Sequence, residues 1–203
     1  MDVSYASQLK HPVFKVLSQY ATAHQLDVYV IGGWVRDLLM DRPSKDIDIL
    51  VLGDGPDLAR ATAEILRVKK VSIFKNFGTA HFKYKDLDIE FVGARKESYS
   101  PESRKPSTSA GTLQDDQNRR DFTINSMAIS LRQETLGQLI DPFNGQTDLQ
   151  NGIIRTPLEP NITFSDDPLR MLRAIRFATR FDFQITAPCL EAMKANAARL
   201  QIL

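Results

Sequence analysis

The chain has 203 residues, 42% of them hydrophobic and 25% charged, with a formal net charge of +1. That composition suits a globular protein with a real core, and the length allows one large domain or a domain plus part of a second. No apolar run approaches the ~20 residues of a membrane span, the acidic, His-containing N-terminus is not that of a signal peptide, and the single cysteine, Cys189, excludes a disulfide framework or a cysteine-rich zinc site. A reducing cytoplasm is the expected setting. Near-neutral charge neither indicates nor excludes RNA, because a binder needs only a local basic surface.

In chain order, Val13, Val16, Leu17 and Tyr20 recur at helical spacing after Pro12. A strand over Val28–Ile31 enters Gly32-Gly33, and a short helix runs from there through Met40. Residues 47–52 form the next strand, broken by Gly53-Asp54-Gly55-Pro56 before a helix from about Asp57 to Arg67. Short strands follow over Val71–Lys75, His81–Tyr84 and Leu87–Val92, the last two joined by a turn at Lys85-Asp86. From Lys96 to Asn118 apolar residues nearly vanish, which predicts a mobile functional loop or a disordered insertion. A second segment opens around Leu136: Ile140–Gly145 reads as a strand running into a turn, Ile153-Ile154-Arg155 as another short strand, residues 157–161 as a connector, and helices dominate from Pro168. Such mixed strands with flanking helices imply an α/β or α+β domain with a small sheet.

The chemistry concentrates at the glycine pair and the strand after it. Glycine lacks a Cβ and tolerates positive φ, so Gly32 and Gly33 let backbone N–H groups approach phosphate oxygens, with Arg36 facing the same charge. Nine residues after Asp37 come Asp46-Ile47-Asp48. Strand alternation puts both carboxylates on one face and Ile47, Ile49 and Val51 on the other. Paired carboxylates suit a hard cation such as Mg²⁺ bridging to substrate phosphates, as two-metal chemistry requires. Glu90 completes the cluster if its strand is a neighbour. The bland alternative is a tight turn followed by a solvated strand face.

Further on, Asp167 caps and Pro168 begins a helix on which Arg170, Arg173, Arg176 and Arg180 fall within an arc of roughly 120°, opposite Met171, Ala174, Ile175 and Ala178. Guanidinium forks suit phosphates and base edges alike; an ordinary solvated helix face is the competing account. His11, His24 and His81 lack metal-ligand spacing, and Trp34 is expected only to pack the glycine turn.

Five ordered motifs make the chain resemble the class II tRNA nucleotidyltransferases, which add C, C and A to tRNA 3′ ends, and the bacterial poly(A) polymerases that share their catalytic head. They are residues 32–37 (GGWVRD), 46–48 (DID), 119–128 (RRDFTINSMA), 141–145 (DPFNG) and 166–177 (DDPLRMLRAIRF). The resemblance implies an α+β, polymerase-β-like head over residues 1–138, then the start of a mostly helical neck over 139–203 that continues beyond it in the family. It implies Mg²⁺ on Asp46, Asp48 and Glu90, and the triphosphate on Gly32, Gly33 and Arg36. It also implies the ribose on Asp121 and Asn125 with electrostatic support from Arg120, the base edge on Asp167 and Arg170, and a phosphate on Arg173. The segment 96–118 matches the position of the family's flexible loop, thought to help the switch from C to A. One departure is Asp166 where the family usually has Glu. The activity implied is template-independent addition of CCA to tRNA from CTP and ATP. Poly(A) synthesis, CC-only or A-only addition share the same motifs, and a non-catalytic RNA- or nucleotide-binding module of the same fold is the rival from another class.

Overall fold

The computed structural model describes residues 4–74, 78–100 and 103–203. In chain order the elements are α1 (Pro12–Ala23), β1 (Val28–Ile31), α2 (Gly33–Leu39), β2 (Asp46–Val51), α3 (Gly55–Ile65), β3 (Ser72–Phe74), β4 (Thr79–Tyr84), β5 (Leu87–Gly93), β6 (Arg95–Ser100) and β7 (Ser103–Ala110). Then follow α4 (Leu113–Asn118), β8 (Ala128–Ser130), β9 (Leu139–Ile140), α5 (Gly145–Gln150), β10 (Ile153–Ile154), α6 (Pro160–Asp166), α7 (Leu169–Phe181), β11 (Gln184–Ile185) and α8 (Ala187–Ala195). They gather into two compact units, one of residues 1–94 and 127–141, the other of 95–126 and 142–203.

The first unit is built on a seven-stranded mixed sheet of order β3-β4-β5-β2-β1-β8-β9. Only β2 and β5 run parallel; the other neighbours are antiparallel. Ile47, Ile49, Phe82, Ile89 and Phe91 share one face and are fully buried, with α3 packed against β4 and β5. Helix α1 starts at Pro12, capped by the His11 Nδ1, which accepts from the Val13 amide at 3.3 Å. Trp34 stacks edge-on against Phe14 at 5.0 Å, so it packs beside the glycine turn. The strand expected over Val71–Lys75 is present as β3; Lys75 lies outside the described residues.

In the second unit, β6 and β7 form an antiparallel pair and β10 and β11 a short parallel one. The polar segment 96–118 is not a loop in its described residues: 96–100 and 103–110 belong to the pair of β6 and β7 and 113–118 to α4, whose Thr112 and Asp115 form a reciprocal capping box. Arg95, Glu97 and Tyr99 alternate with exposed residues, so the strand follows a period of two, but with polar side chains inward. The segment also packs with 142–203 rather than with the sheet, so the expected boundary at 138/139 does not coincide with the compact units. Residues 157–161 are not only a connector, since α6 begins at Pro160 with Glu159 accepting from the Ile162 amide at 3.2 Å. Among the described residues no helix is long and apolar enough to cross a membrane.

Candidate functional site

In the first unit, the parallel pairing of β2 with β5 sets Asp48 opposite Glu90 and Asp46 opposite Asp88. Paired residues share a face, so all four carboxylates stand together on the side away from Ile47 and Ile89. On the next strand His81 lies opposite Glu90 and Lys83 opposite Asp88. The result is a cleft of about 290 Å³ lined by Asp46, Asp48, His81, Asp88 and Glu90. This face is open only at the start of β2, where Asp46 is exposed and Asp48 half-buried, because Leu50 on the same face is fully buried.

Sequence reasoning set His81 aside, and the register brings it to the cleft. Its Nε2 contacts the Asp88 carboxylate at 2.9 Å, and the Lys83 ammonium lies 3.3 Å from the other oxygen. Slight burial would raise the Asp88 pKa, but the hydrogen bonds from His81 and Lys83 outweigh it and hold the carboxyl below its ordinary value. The signal was available in the alternation of His81 and Lys83, but it needed the pairing of β4 with β5. Among the described residues no three His, Cys, Asp or Glu side chains are close enough to enclose a metal ion unaided. The donor set still fits Mg²⁺, which is commonly held by one or two carboxylates and completed by water and substrate phosphate.

The turn from β1 into α2 requires glycine at its first position. Gly32 has φ +68° and ψ −132°, a region that side chains with a Cβ avoid. Its N–H donates to the Met127 carbonyl at 3.3 Å. Arg36 is buried, its guanidinium held by the Asp37 carboxylate at 2.8 and 2.9 Å. A Cβ placed on Gly33 would lie 3.4 Å from the Arg36 Nη2, so the guanidinium sits directly behind the turn.

The second unit contains a buried lattice of charges. Asp116, 1% exposed, accepts from Arg119 and from Arg120, the latter at 2.7 and 3.0 Å. Burial alone would raise the Asp116 pKa; the Arg120 and Arg119 charges prevail and lower it. Arg119 also reaches Glu97 at 3.2 Å; burial and the neighbouring Arg120 charge lower its own pKa. Tyr99 donates to Glu97 at 2.6 Å, and burial with that hydrogen bond pushes its phenol well up.

Asp121 and Asn125 are brought together: the Asp121 carboxylate accepts from the Asn125 amide at 3.0 Å and from its neighbour's backbone N–H at 2.9 Å. Its other oxygen is held by Arg173 through Nε and Nη2, each at 2.7 Å. Thus Arg173, expected on a phosphate, orients Asp121 here. Arg170 is buried, unlike Arg173, Arg176 and Arg180, so the four arginines do not form one solvated face. Its Nη2 donates to the Arg119 carbonyl at 2.8 Å and to the Tyr99 hydroxyl at 3.2 Å. Ile175, expected across the helix from the arginines, is 51% exposed, and the buried stripe of α7 runs instead along Arg170, Met171, Ala174, Phe177 and Phe181. Asp167 accepts from the Leu169 amide at 3.1 Å, starting α7, and pairs with Arg104 at 3.3 Å. Asp166 and Arg170 line a pocket of about 210 Å³ with Tyr99 and Lys96. Burial raises the Asp166 pKa, opposed by the Arg170 charge. Glu97 and Tyr99 were missed from sequence because Arg119 and Arg170, their partners across the unit, lie 22 and 71 positions along the chain; Asp116 stands three and four residues before Arg119 and Arg120, and that helical spacing was the signal available for it.

Residues 28–155 match the family described as the Poly A polymerase head domain. The chain is 41% identical over 180 residues to the A-adding tRNA nucleotidyltransferase of Aquifex aeolicus (strain VF5), an alignment covering 88% of this chain and 21% of that protein. The structure of a CCA-adding enzyme in apo form II superposes with a TM-score of 0.88 at 37% identity, over 98% of this chain and 48% of the other. A tRNA nucleotidyltransferase complexed with a primer tRNA and an incoming ATP analog gives 0.77 at 37% identity, over 90% and 50%. The chain therefore spans half the length, or less, of these relatives. Since the matched segment takes in more than half of the residues, and the mixed sheet with its flanking helices superposes on those structures, the chain belongs to the poly(A) polymerase head domain family.

Proposed function

We propose that this chain is the catalytic part of an RNA nucleotidyltransferase that adds CCA to tRNA 3′ ends from CTP and ATP. The observation that carries the reading is the register of β2 and β5, which sets Asp46, Asp48 and Glu90 on one open face in a chain related to A-adding and CCA-adding enzymes. In the reaction the RNA 3′-oxygen forms a bond to the α-phosphorus. The bond from that phosphorus to the bridging oxygen breaks, pyrophosphate leaves, and the hydroxyl proton is lost to solvent.

Asp46, Asp48 and Glu90 would hold Mg²⁺ in this reading, with water and substrate phosphate completing its shell. The metal would lower the pKa of the 3′-hydroxyl and neutralise charge on the leaving pyrophosphate. The Gly32 turn brings backbone amides close to the triphosphate, and Arg36, anchored by Asp37, supplies positive charge behind it. In the second unit Asp121 and Asn125 bind the ribose. Arg173 positions Asp121, and Arg120 acts electrostatically from its pair with Asp116. Asp167 accepts from and Arg170 donates to the edge of the incoming base, which makes the protein its own template. Buried polar groups of this kind discriminate well, because a wrong base leaves them unpaired. A cytoplasmic setting belongs to the same proposal and rests on the lone, free Cys189.

A-only addition is the second reading, favoured by the A-adding relative from Aquifex. The test is incubation with Mg²⁺, labelled CTP or ATP and tRNA ending before CCA, resolved at single-nucleotide length. Addition of C, C and A supports the first reading, and a single A on tRNA ending in CC supports the second. Asp48→Ala is expected to lower incorporation by about 10³-fold or more, the scale for loss of a group acting on transition-state charge. Full activity in that variant overturns the assignment.

A further inference from the structure

A second opening in the first unit, outside the carboxylate cleft, runs along the edge of β4. It is a groove of about 540 Å³ lined by Arg67, Lys69, Lys70, Ser72, His81 and Lys83. It exists because the pairing of β3 with β4 ends at Ser72 opposite His81, so the preceding segment diverges from Phe82–Tyr84 and leaves that edge uncovered. The four cations are exposed, and among the described residues no carboxylate lines the groove. With a net charge of only +1 on the whole chain, this concentration is local rather than a sample of a basic protein.

A helix C-terminus attracts a cation, which accounts for Arg67 after α3. It does not account for Lys69 and Lys70, which lie beyond the last turn; Lys83, from β4, also faces Asp88 at 3.3 Å. Arg67 has φ +56° and ends the helix through hydrogen bonds from its own amide to Glu64 and from Val68 to Ala63, at 3.0 and 2.8 Å. Glycine or asparagine fits that position best. An arginine there sacrifices some cap stability and sets a charge on the groove wall.

The groove and the carboxylate cleft share His81. A chain of anions lying in the groove therefore ends beside Asp46, Asp48 and Glu90. We propose that this groove binds the backbone phosphates of the RNA strand whose 3′ end is extended, an inference that rests on the nucleotidyl-transfer reading above. An open strand edge can also take a peptide strand, but four cations, of which Lys83 alone is shown paired with a carboxylate, that of Asp88 outside the groove, match a polymer carrying one phosphate per residue.

The test is the anisotropy of a fluorescein-labelled single-stranded RNA titrated with this chain across a range of salt. Parent, Arg67→Gln/Lys69→Gln/Lys70→Gln and a control, Lys15→Gln/Arg60→Gln/Lys194→Gln, are compared. The last removes the same charge outside the groove. Melting temperatures confirm folding, and single Lys69→Gln and Lys70→Gln variants replace the triple one if it does not fold. The groove variant is expected to bind about tenfold or more weakly, with a log–log salt slope shallower by about 2, since each single-strand phosphate contact contributes about 0.7. Unchanged affinity, an equal loss in the control, or no RNA binding by the parent at low salt overturns the proposal. Nucleotide addition separates the two readings. A raised KM for RNA in the groove variant at unchanged kcat supports the groove, and an unchanged KM overturns the groove alone. A parent that adds no nucleotide overturns the transfer reading, and the anisotropy still decides the groove.

Discussion

Asp116 shows how much of this molecule is decided by single charged residues. Its carboxylate is almost fully buried and carries the guanidinium groups of both Arg119 and Arg120. Removing that carboxylate takes away the charge both guanidinium groups share, so Asp116→Asn is expected to lower stability by about 3–5 kcal/mol, measured by urea unfolding at pH 7. The pH dependence follows from the lowered pKa. The stabilisation is fully present above the unfolded-state value near 4 and is lost as pH falls through the lower folded-state value. The parent should therefore lose stability below about pH 4 more steeply than the variant. The family resemblance pointed to Asp121, Asn125, Arg120 and Arg170, but not to their partners. Arg173 on Asp121 spans 52 positions and Arg170 on Tyr99 spans 71, so the pairing depends on tertiary packing.

At the scale of elements, the turn between β1 and α2 can be dissected by its two glycines. Gly32→Ala forces a Cβ into φ +68° and ψ −132°, and is expected to cost about 1–3 kcal/mol and to weaken ATP binding. Gly33 lies within α2 without positive φ, so Gly33→Ala should keep or raise stability by up to about 1 kcal/mol. Its new methyl group meets the Arg36 guanidinium, so ATP affinity should fall all the same. Urea unfolding and nucleotide titration of the two variants separate the backbone role from the crowding of Arg36. Elements with apolar periodicity were legible: α1, β1, β2, α3, β4 and β5 all stand close to where the pattern put them. The hairpin of β6 and β7 was not, because its inward positions are Arg95, Glu97 and Tyr99. Those side chains are satisfied by one another and by Arg119 and Arg170, not by hydrophobic burial.

For the whole molecule, the chain crosses between its units three times, so neither is a contiguous segment. A chain ending at Gln138 would deprive Thr123 of Asp148 and of the Arg155 carbonyl, and Asp121 of Arg173. Residues 95–126 of that truncated chain are expected to exchange their amides rapidly and to be cut by trypsin after Arg119 or Arg120, while β1, β2, β4 and β5 keep their protection. Hydrogen exchange read by mass spectrometry checks both. The sequence by itself determined the turn, the strand alternation that puts Asp46 and Asp48 on one face, and the motif order that marks the family, because these rest on local backbone geometry and residue chemistry. Only the tertiary structure decided that Glu90 and His81 join that face, that the polar stretch supplies β6, β7 and α4, and that these group with residues 142–203. Those outcomes depend on strand register and on ion pairs between residues far apart in the chain, and no local pattern encodes either.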